Sequence, residues 1–475
     1  MQASALLITF GTMLLALALG LAARRKRSLN LEQWTVGGRG FGILFVFLLL
    51  AGEIYTTFTF LGGSSWAYGV GGPTVYILAY GAIAYILSYF LLPPIWRYGK
   101  RHQLISQPDY FWRRFNSKGL SIFVAIVGVI AMIPYLQLQI TGLGLIMQTT
   151  SYGAINQATA MIIGVIVLAI YVTISGVYGT AWTAVIKDIA VLAIVLIVGI
   201  ALPLHVGGFQ AMFEKINTLH PHFLTLQTNG MGVPWFISTV LLTSLGFYMW
   251  PHSFGAVYTA KNERVFRRNA TFLPLYQLIL LFVFFAGFAA LLIVPGLKNT
   301  NLALLAAVQK VFPAWFVGVI GGAGILTALV PGSLLLMAAS TLIAENIYRP
   351  LTKAMDSQVQ TVARIMVWVL GAVTLYFSLH SNATIVALLL MGYNFVTQFF
   401  PSVVLSLFWP RVVNKYGAFS GILVGVALVI AFAQNSVPII WHLNSGFVAF
   451  LANFLTVLLI SSLSGGGTVL HEETV

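Results

Sequence analysis

The sequence predicts an all-α protein embedded in a membrane, from its composition, the length of its apolar runs and the placement of its charges. Hydrophobic residues fill 59% of the 475 positions and charged residues only 7%, against about 25% charged residues in an ordinary soluble domain. A water-soluble fold of this size has no way to bury so much apolar surface, so lipid must solvate much of the chain. No polar stretch is long enough for a second domain, and residues 1–475 are interpreted as one membrane domain.

About thirteen apolar runs are long enough to cross a bilayer, which takes about 20 residues for each helix. The predicted spans are 3–23, 41–70, 74–96, 120–149, 155–176, 180–202, 233–258, 271–294, 315–345, 362–379, 383–408, 417–436 and 444–464. The first run precedes the basic residues 24–27, whereas a signal peptide carries its positive residues first, so we expect this helix to be retained.

The basic residues predict the orientation of these spans. All but three of the 24 Lys and Arg residues fall on one side of the predicted membrane; the exceptions are Lys215, Lys298 and Lys310. Such a bias marks the cytoplasmic side, which puts the N-terminus outside and the C-terminus in the cytoplasm of an inner, plasma-membrane protein. Because the positive charge lies in links between spans, nucleic acid is not an expected partner. The absence of cysteine excludes disulfides and thiolate metal sites, and we expect no metal or cofactor.

One acidic residue, Glu53, is predicted to lie in the middle of a span, whereas every other acid falls in a loop, at a span end or in the tail. An intramembrane carboxyl group is costly and is a functional hypothesis by default. Gly52 and the hydroxyls of Thr56 and Thr57 suggest that this helix is broken, with backbone groups free to hold a ligand. The alternative is a protonated Glu53 hydrogen-bonded to a neighbouring helix.

Other spans contain irregular or polar segments. Pro251 and His252 interrupt one span, and Pro331 interrupts another, either as plain kinks or as parts of a site. Tyr135 with Gln137, and Asn394, form mid-span polar groups that bind a ligand or join helices. Lys187 lies near a predicted span start, where it either extends to the interface or serves the site.

Four segments together resemble the sodium:solute symporter family, which has a LeuT-type core. They are 51–57, followed by 62–69 (GGSSWAYG), then 173–183 (TISGVYGTAWT) and 338–350 (AASTLIAENIYRP). Within the family, residues 52–60 (GEIYTTFTF) and 251–253 (PHS) are most similar to the monocarboxylate permease branch. The resemblance covers nearly the whole chain.

This resemblance implies a core of two inverted five-helix repeats, at 41–202 and 233–408. One N-terminal helix at 3–23 and two extra helices within 417–464 would flank the core. The unwound middles of spans 41–70 and 233–258 would form a substrate site at the bilayer midplane. The implied substrate-binding residues are Tyr55, Thr56, Thr57, Tyr135, Gln137, Tyr248, Trp250, His252 and Asn394.

The family's sodium site implies ligands at positions where this chain lacks them. Its helix carbonyls map to Ala51, Ile54 and Thr327, and its two hydroxyls map to Val330 and Pro331, which have no side-chain oxygen. Sodium needs a full shell of oxygens, so we predict coupling to a proton carried by Glu53, because burial favours the protonated form of a carboxyl group. Lys187 would alternatively stand in for sodium as a tethered cation.

The resemblance therefore implies a secondary symporter, not an enzyme, that imports a small organic acid such as lactate or pyruvate by alternating access. The alternative is a sodium-coupled symporter of another small solute. The expected partners are this organic anion and membrane lipid, and the expected state is a monomer.

Overall fold

The computed structural model describes residues 2–24, 30–52, 54–228, 230–435 and 441–466, which form a helical bundle. The first helices are α1 (Gln2–Arg24), α2 (Leu31–Val36), α3 (Ile43–Ala51), α4 (Ser64–Gly69), α5 (Tyr76–Arg101), α6 (Gln107–Phe115), α7 (Lys118–Thr150), α8 (Gln157–His205) and α9 (Phe209–Leu219). Next come α10 (Val233–Gly246), α11 (Pro251–Tyr258), α12 (Arg264–Gln277), α13 (Leu280–Ile293), α14 (Ala303–Val311), α15 (Ala314–Thr341) and α16 (Arg349–Thr352). The last are α17 (Asp356–His380), α18 (Ile385–Val396), α19 (Phe400–Phe408), α20 (Lys415–Ala433) and α21 (Ser445–Leu463).

The predicted all-α membrane fold is confirmed. In the described part of the chain, 10 helical segments are long and apolar enough to cross a membrane, and the bent pair α10–α11 raises the number to 11. The predicted thirteen spans would also require α8 to cross twice and the broken segment α3–α4 to cross once. That number stays a prediction.

Helix α8 folds back on itself. Its 49 residues would extend about 74 Å if straight, more than twice the hydrocarbon thickness of a bilayer. Gly176 interrupts it with φ 56° and ψ −162°. The hydroxyls of Tyr171 and Thr183, twelve positions apart, lie 2.7 Å from each other, so the chain reverses at this glycine. The break falls where the sequence predicted one span to end and the next to begin.

Helices α7 and α15 form the buried centre, and two broken segments lie against them. Glycines allow these close approaches, because any larger side chain would collide with the broken segments. A Cβ atom at Gly142 would lie 1.9 Å from Thr57, and one at Gly128 would lie 3.0 Å from Pro251. The centre therefore holds the breaks predicted near Gly52 and Pro251, whereas α15 continues through Pro331.

Hydrogen bonds join several helix ends at the side of the bundle where Arg39 lies, which we call the basic face. Arg39 Nη2 donates to the Leu104 carbonyl at 2.8 Å, and Asn346 Nδ2 donates to Asp109 Oδ1 at 2.7 Å. Asp109 also caps α6 by accepting from the backbone N–H of Ser106 at 3.1 Å. Its burial raises the pKa of its carboxyl group, although these hydrogen bonds oppose the rise.

Candidate functional site

The chain after α3 leaves helical geometry and is held by local hydrogen bonds. The Ala51 carbonyl accepts from the backbone N–H groups of Ile54 and Tyr55, at 3.1 and 3.0 Å. The Thr59 hydroxyl donates to the Ile54 carbonyl at 2.7 Å, which closes the turn. The two carbonyls implied as sodium ligands thus have partners within the turn. Glu53 lies outside the described residues.

The side chain of Lys187 reaches this break from α8. It is 0% exposed, and its Nζ donates to the Tyr55 carbonyl at 3.2 Å. A Cβ atom at Gly52 would lie 3.3 Å from that Nζ, so glycine leaves room for the ammonium. The C-terminal end of α3 at Ala51 also favours a cation nearby. Lys187 therefore faces the break and does not extend to the interface.

Asp188 pairs with this lysine. Its Oδ1 lies 2.9 Å from Lys187 Nζ, and the residue is 5% exposed. The expectation that Glu53 alone among the acids lies inside a span is wrong, because α8 resumes directly after Gly176 and carries Asp188 about 18 Å further along. Each buried charge compensates the other. An adjacent Lys-Asp pair in an apolar run was the signal available in the sequence.

The positions implied for sodium hydroxyls lie in apolar surroundings. Val330 packs with Leu48 and Ala184 in a small buried cluster. The hydroxyl of Thr327 donates to a carbonyl of its own helix at 2.6 Å, and Pro331 is buried within α15. Lys187 lies about one helical turn beyond Ala184, which packs with Val330.

The second break separates α10 from α11. A short 3-10 turn that contains Tyr248 follows Gly246, and Trp250 is extended with ψ 135°. The chain bends by 50° before α11 begins at Pro251. Proline fits the first position of a helix because it has no N–H to leave unpaired. Tyr248 and Trp250 are both 1% exposed.

Aromatic rings from three helices meet at this second break. The ring of Tyr135, on α7, lies 4.9 Å from Trp250 and 5.7 Å from His252. Trp250 also lies 5.3 Å from Tyr393, on α18. The predicted residues Tyr135, Trp250 and His252 are therefore brought together.

Gln139 was not among the predicted site residues, but its surroundings make it a candidate. It is 0% exposed, and neither its Oε1 nor its Nε2 has a hydrogen-bond partner within the described residues. It lies one helical turn from Tyr135, which contacts the second break, and about one turn from Gly142, which contacts the first. Its own Cβ atom lies 3.7 Å from where a Cβ atom at Gly332 on α15 would be. Thr57 approaches Gly142 most closely with its methyl group, and its hydroxyl is likewise buried without a described partner. Buried groups of this kind point to a bound ligand or water.

The four remaining predicted residues have other contacts. The Tyr55 hydroxyl donates to the Tyr276 carbonyl at 2.5 Å, and the Thr56 hydroxyl accepts from a backbone N–H in its own turn at 3.0 Å. Gln137 donates to a carbonyl of α17 at 3.3 Å. Asn394 packs against α21, where a Cβ atom at Gly446 would lie 2.1 Å from its Oδ1. Gln139 lies four residues after Tyr135 and therefore on the same face of α7, whereas Gln137 does not. This spacing was the sequence signal that favoured Gln139.

A cleft leads from the basic face toward this centre, while the other side is covered. The cleft is lined by Thr35, Ile105, Ser106, Val177, Pro251, His252, Gly255, Ala256, Leu334, Met337, Ala338, Thr341 and Leu342. On the opposite side, the hydroxyls of Ser65 and Thr300 lie 2.8 Å apart. The Ile385 N–H donates to Asn301 Oδ1 at 3.4 Å. The segment before α14 thus closes over α4 and α18.

Comparison with known proteins is consistent with this architecture. Residues 34–425 match the model of the sodium:solute symporter family. A symporter of Bacillus subtilis (strain 168), YhjB, is 52% identical, with 96% of each chain covered. A monocarboxylate transport permease protein of Rhizobium johnstonii is 25% identical over 91% of each chain. The outward-open, substrate-bound structure of a Na+-coupled sialic acid symporter has a TM-score of 0.82 at 17% identity, covering 98% of this chain and 99% of the other. The predicted LeuT-type fold is confirmed.

Proposed function

Because the chain belongs to the sodium:solute symporter family, we propose that it moves a small monocarboxylate, such as lactate or pyruvate, together with a proton. The protein is a membrane-embedded solute symporter and not an enzyme, as its relatives and structural neighbours are transporters. The observation that carries the proton assignment is the buried ammonium of Lys187 at the first break.

The substrate assignment is supported by the chemistry of the two breaks. The N-terminal end of α11 carries the positive end of a helix dipole, which favours an anion, while Ser253 and Phe254 donate their backbone N–H groups to the Trp250 carbonyl. The Gln139 amide supplies a further donor, and the Thr57 hydroxyl another. The rings of Tyr135 and Trp250 give an apolar wall that suits a short carbon chain. One relative is described as a monocarboxylate transport permease.

The assignment of proton coupling is supported by the residues at the positions that correspond to the family's sodium site. Two hydroxyls that sodium would use are replaced at Val330 and Pro331, and hard cations need several oxygen ligands. A protonated Lys187 ties the carbonyl of Tyr55 to α8, as a cation would.

Two carboxyl groups are available to exchange this proton. Asp188 is 2.9 Å from Lys187 Nζ and is the adjacent acceptor. Glu53, next to Gly52 in the sequence, is the second candidate, and its protonated form would remove repulsion toward an anionic substrate. One proton carried with one monocarboxylate makes the cycle electroneutral.

The sodium-coupled alternative rests on the relatives. A Haemophilus influenzae relative of 22% identity is described as a sodium/pantothenate symporter, and the structural neighbour is Na+-coupled. In this alternative, sodium would bind other oxygens than those of positions 330 and 331, and the substrate would be another small solute.

We further propose that the protein lies in the plasma (inner) membrane as a monomer with no cofactor, its N-terminus outside and its basic face toward the cytoplasm. The placement of Lys and Arg supports this orientation. The two repeats would span 41–202 and 233–408.

Uptake of radiolabelled pyruvate or lactate into proteoliposomes tests the function, with proton and sodium gradients imposed separately. Accumulation driven by inward protons without sodium is the expected result. Protein-free liposomes control for diffusion of the undissociated acid. Accumulation that requires sodium would favour the alternative, and absence of uptake under either gradient would remove the monocarboxylate assignment. Glu53→Gln that retains full uptake would exclude Glu53 as the coupling acid.

A further inference from the structure

A groove on the basic face gathers four cationic side chains outside the transport site. It is lined by Ile43, Lys261, Asn262, Arg264, Val265, Arg267 and Arg268. No acidic residue is among those lining it. We propose that this groove binds the phosphate headgroup of an anionic phospholipid.

The cations of the groove lack acidic partners, unlike Arg39 and Arg97 on the same face. Within the described residues, Lys261, Arg264 and Arg268 make no ion pair, and Arg267 only stacks over the ring of Tyr89 at 5.6 Å. By contrast, Arg39 pairs with Glu32 at 3.0 Å, and Arg97 pairs with Glu263 at 3.4 Å. Four uncompensated charges in one concavity favour a multivalent anion.

The surroundings of the groove select a lipid over a free anion. Arg264 and Arg267 lie at the start of α12, and its exposed face continues as Phe272 and Leu275, which are 53% and 64% exposed. Across the groove, Leu44 at the start of α3 is 61% exposed. A phospholipid would place its phosphate among the cations and its acyl chains along these apolar side chains.

The same groove sits on the joint between the two broken segments. Lys261 donates its backbone N–H to the Phe41 carbonyl at 3.0 Å, and Phe41 donates to the Thr259 carbonyl at 2.9 Å. Asn269 Nδ2 donates to the Ile43 carbonyl at 3.4 Å. A bound headgroup would therefore brace the start of α3, where the first broken segment begins, against the link between α11 and α12, where the second one ends.

Native mass spectrometry of the full-length protein, titrated with phosphatidylglycerol, tests this site. The variant Arg264→Gln/Arg267→Gln/Arg268→Gln should bind the lipid on the order of 100-fold more weakly, from about fivefold for each cation near an anionic surface. The matched control Lys353→Gln/Arg411→Gln/Lys415→Gln removes the same charge from exposed positions of the same face and should retain binding.

Equal losses in the two triple variants would overturn the proposal, because binding would then follow net charge alone. Inorganic phosphate that displaces phosphatidylglycerol at equal concentration would also overturn it, since the groove would then hold a free anion. Phosphatidylcholine should not bind in either case. Retention of phosphatidylglycerol through a purification in which phosphatidylcholine is lost would support it.

Discussion

Replacing Lys187 by methionine should abolish proton-driven accumulation and destabilise the fold. Its Nζ lies 2.9 Å from Asp188 Oδ1, so their gross attraction is about 6 kcal/mol at an effective dielectric constant of about 20. Desolvation of each ion costs several kcal/mol and offsets most of this gain. Removing one partner leaves the other charge buried alone, which costs about 3–5 kcal/mol. Asp188→Asn should be destabilising for the same reason.

The double variant Lys187→Met/Asp188→Asn separates folding from coupling. Replacement of a whole buried pair is often neutral, so its thermal unfolding midpoint in detergent should return close to that of the wild type. Its lactate accumulation under a proton gradient should stay at the level of protein-free liposomes. A double variant that accumulates lactate normally, or a Lys187→Met variant as stable as the wild type, would refute this reasoning.

Three further outcomes are expected. Gln139→Leu should lower the initial rate of lactate uptake at least about tenfold, a typical loss for a buried hydrogen bond to a charged ligand, without loss of thermal stability. The control variant Gln137→Leu should leave uptake nearly unchanged. Equal uptake by the two variants would contradict the assignment of Gln139 to the site. Gly176→Ala should lower the free energy of unfolding by about 1–3 kcal/mol, measured by thermal unfolding, because φ is 56° there. Burial raises the pKa of Asp109 in the folded protein, so its contribution to stability is present below the unfolded pKa and is lost as pH rises through the folded pKa. As pH rises through this range, the thermal unfolding midpoint of the Asp109→Asn variant should therefore fall less than that of the wild type. The same pH dependence in both proteins would refute the assignment of a raised pKa to Asp109.

The sequence predicted the fold class and both breaks because their causes are local. Long apolar runs determine which segments enter the membrane, and Pro251 suits the first position of a helix because it has no N–H to leave unpaired. Gly52 and its neighbouring threonines likewise have low intrinsic helix propensities. The reversal at Gly176 separates the two spans predicted at 155–176 and 180–202.

The composition of the site depended on geometry that a single sequence does not contain. Gln137 and Gln139 are equivalent in composition, and only the direction in which α7 faces the breaks separates them. The burial of Asp188 depends on where α8 resumes after Gly176, three residues before the predicted span start. Asn394 is polar and mid-span, but its contact is with α21, which no periodicity in α18 specifies.

Proton movement that accompanies substrate provides the most direct test of coupling at Lys187. A pH-sensitive dye trapped in sodium-free proteoliposomes would report internal acidification when lactate is added outside. The wild type should acidify the lumen faster than protein-free liposomes do, and Lys187→Met/Asp188→Asn should not exceed that background. Acidification at background rate in the wild type, with lactate entry restored only by sodium, would contradict proton coupling.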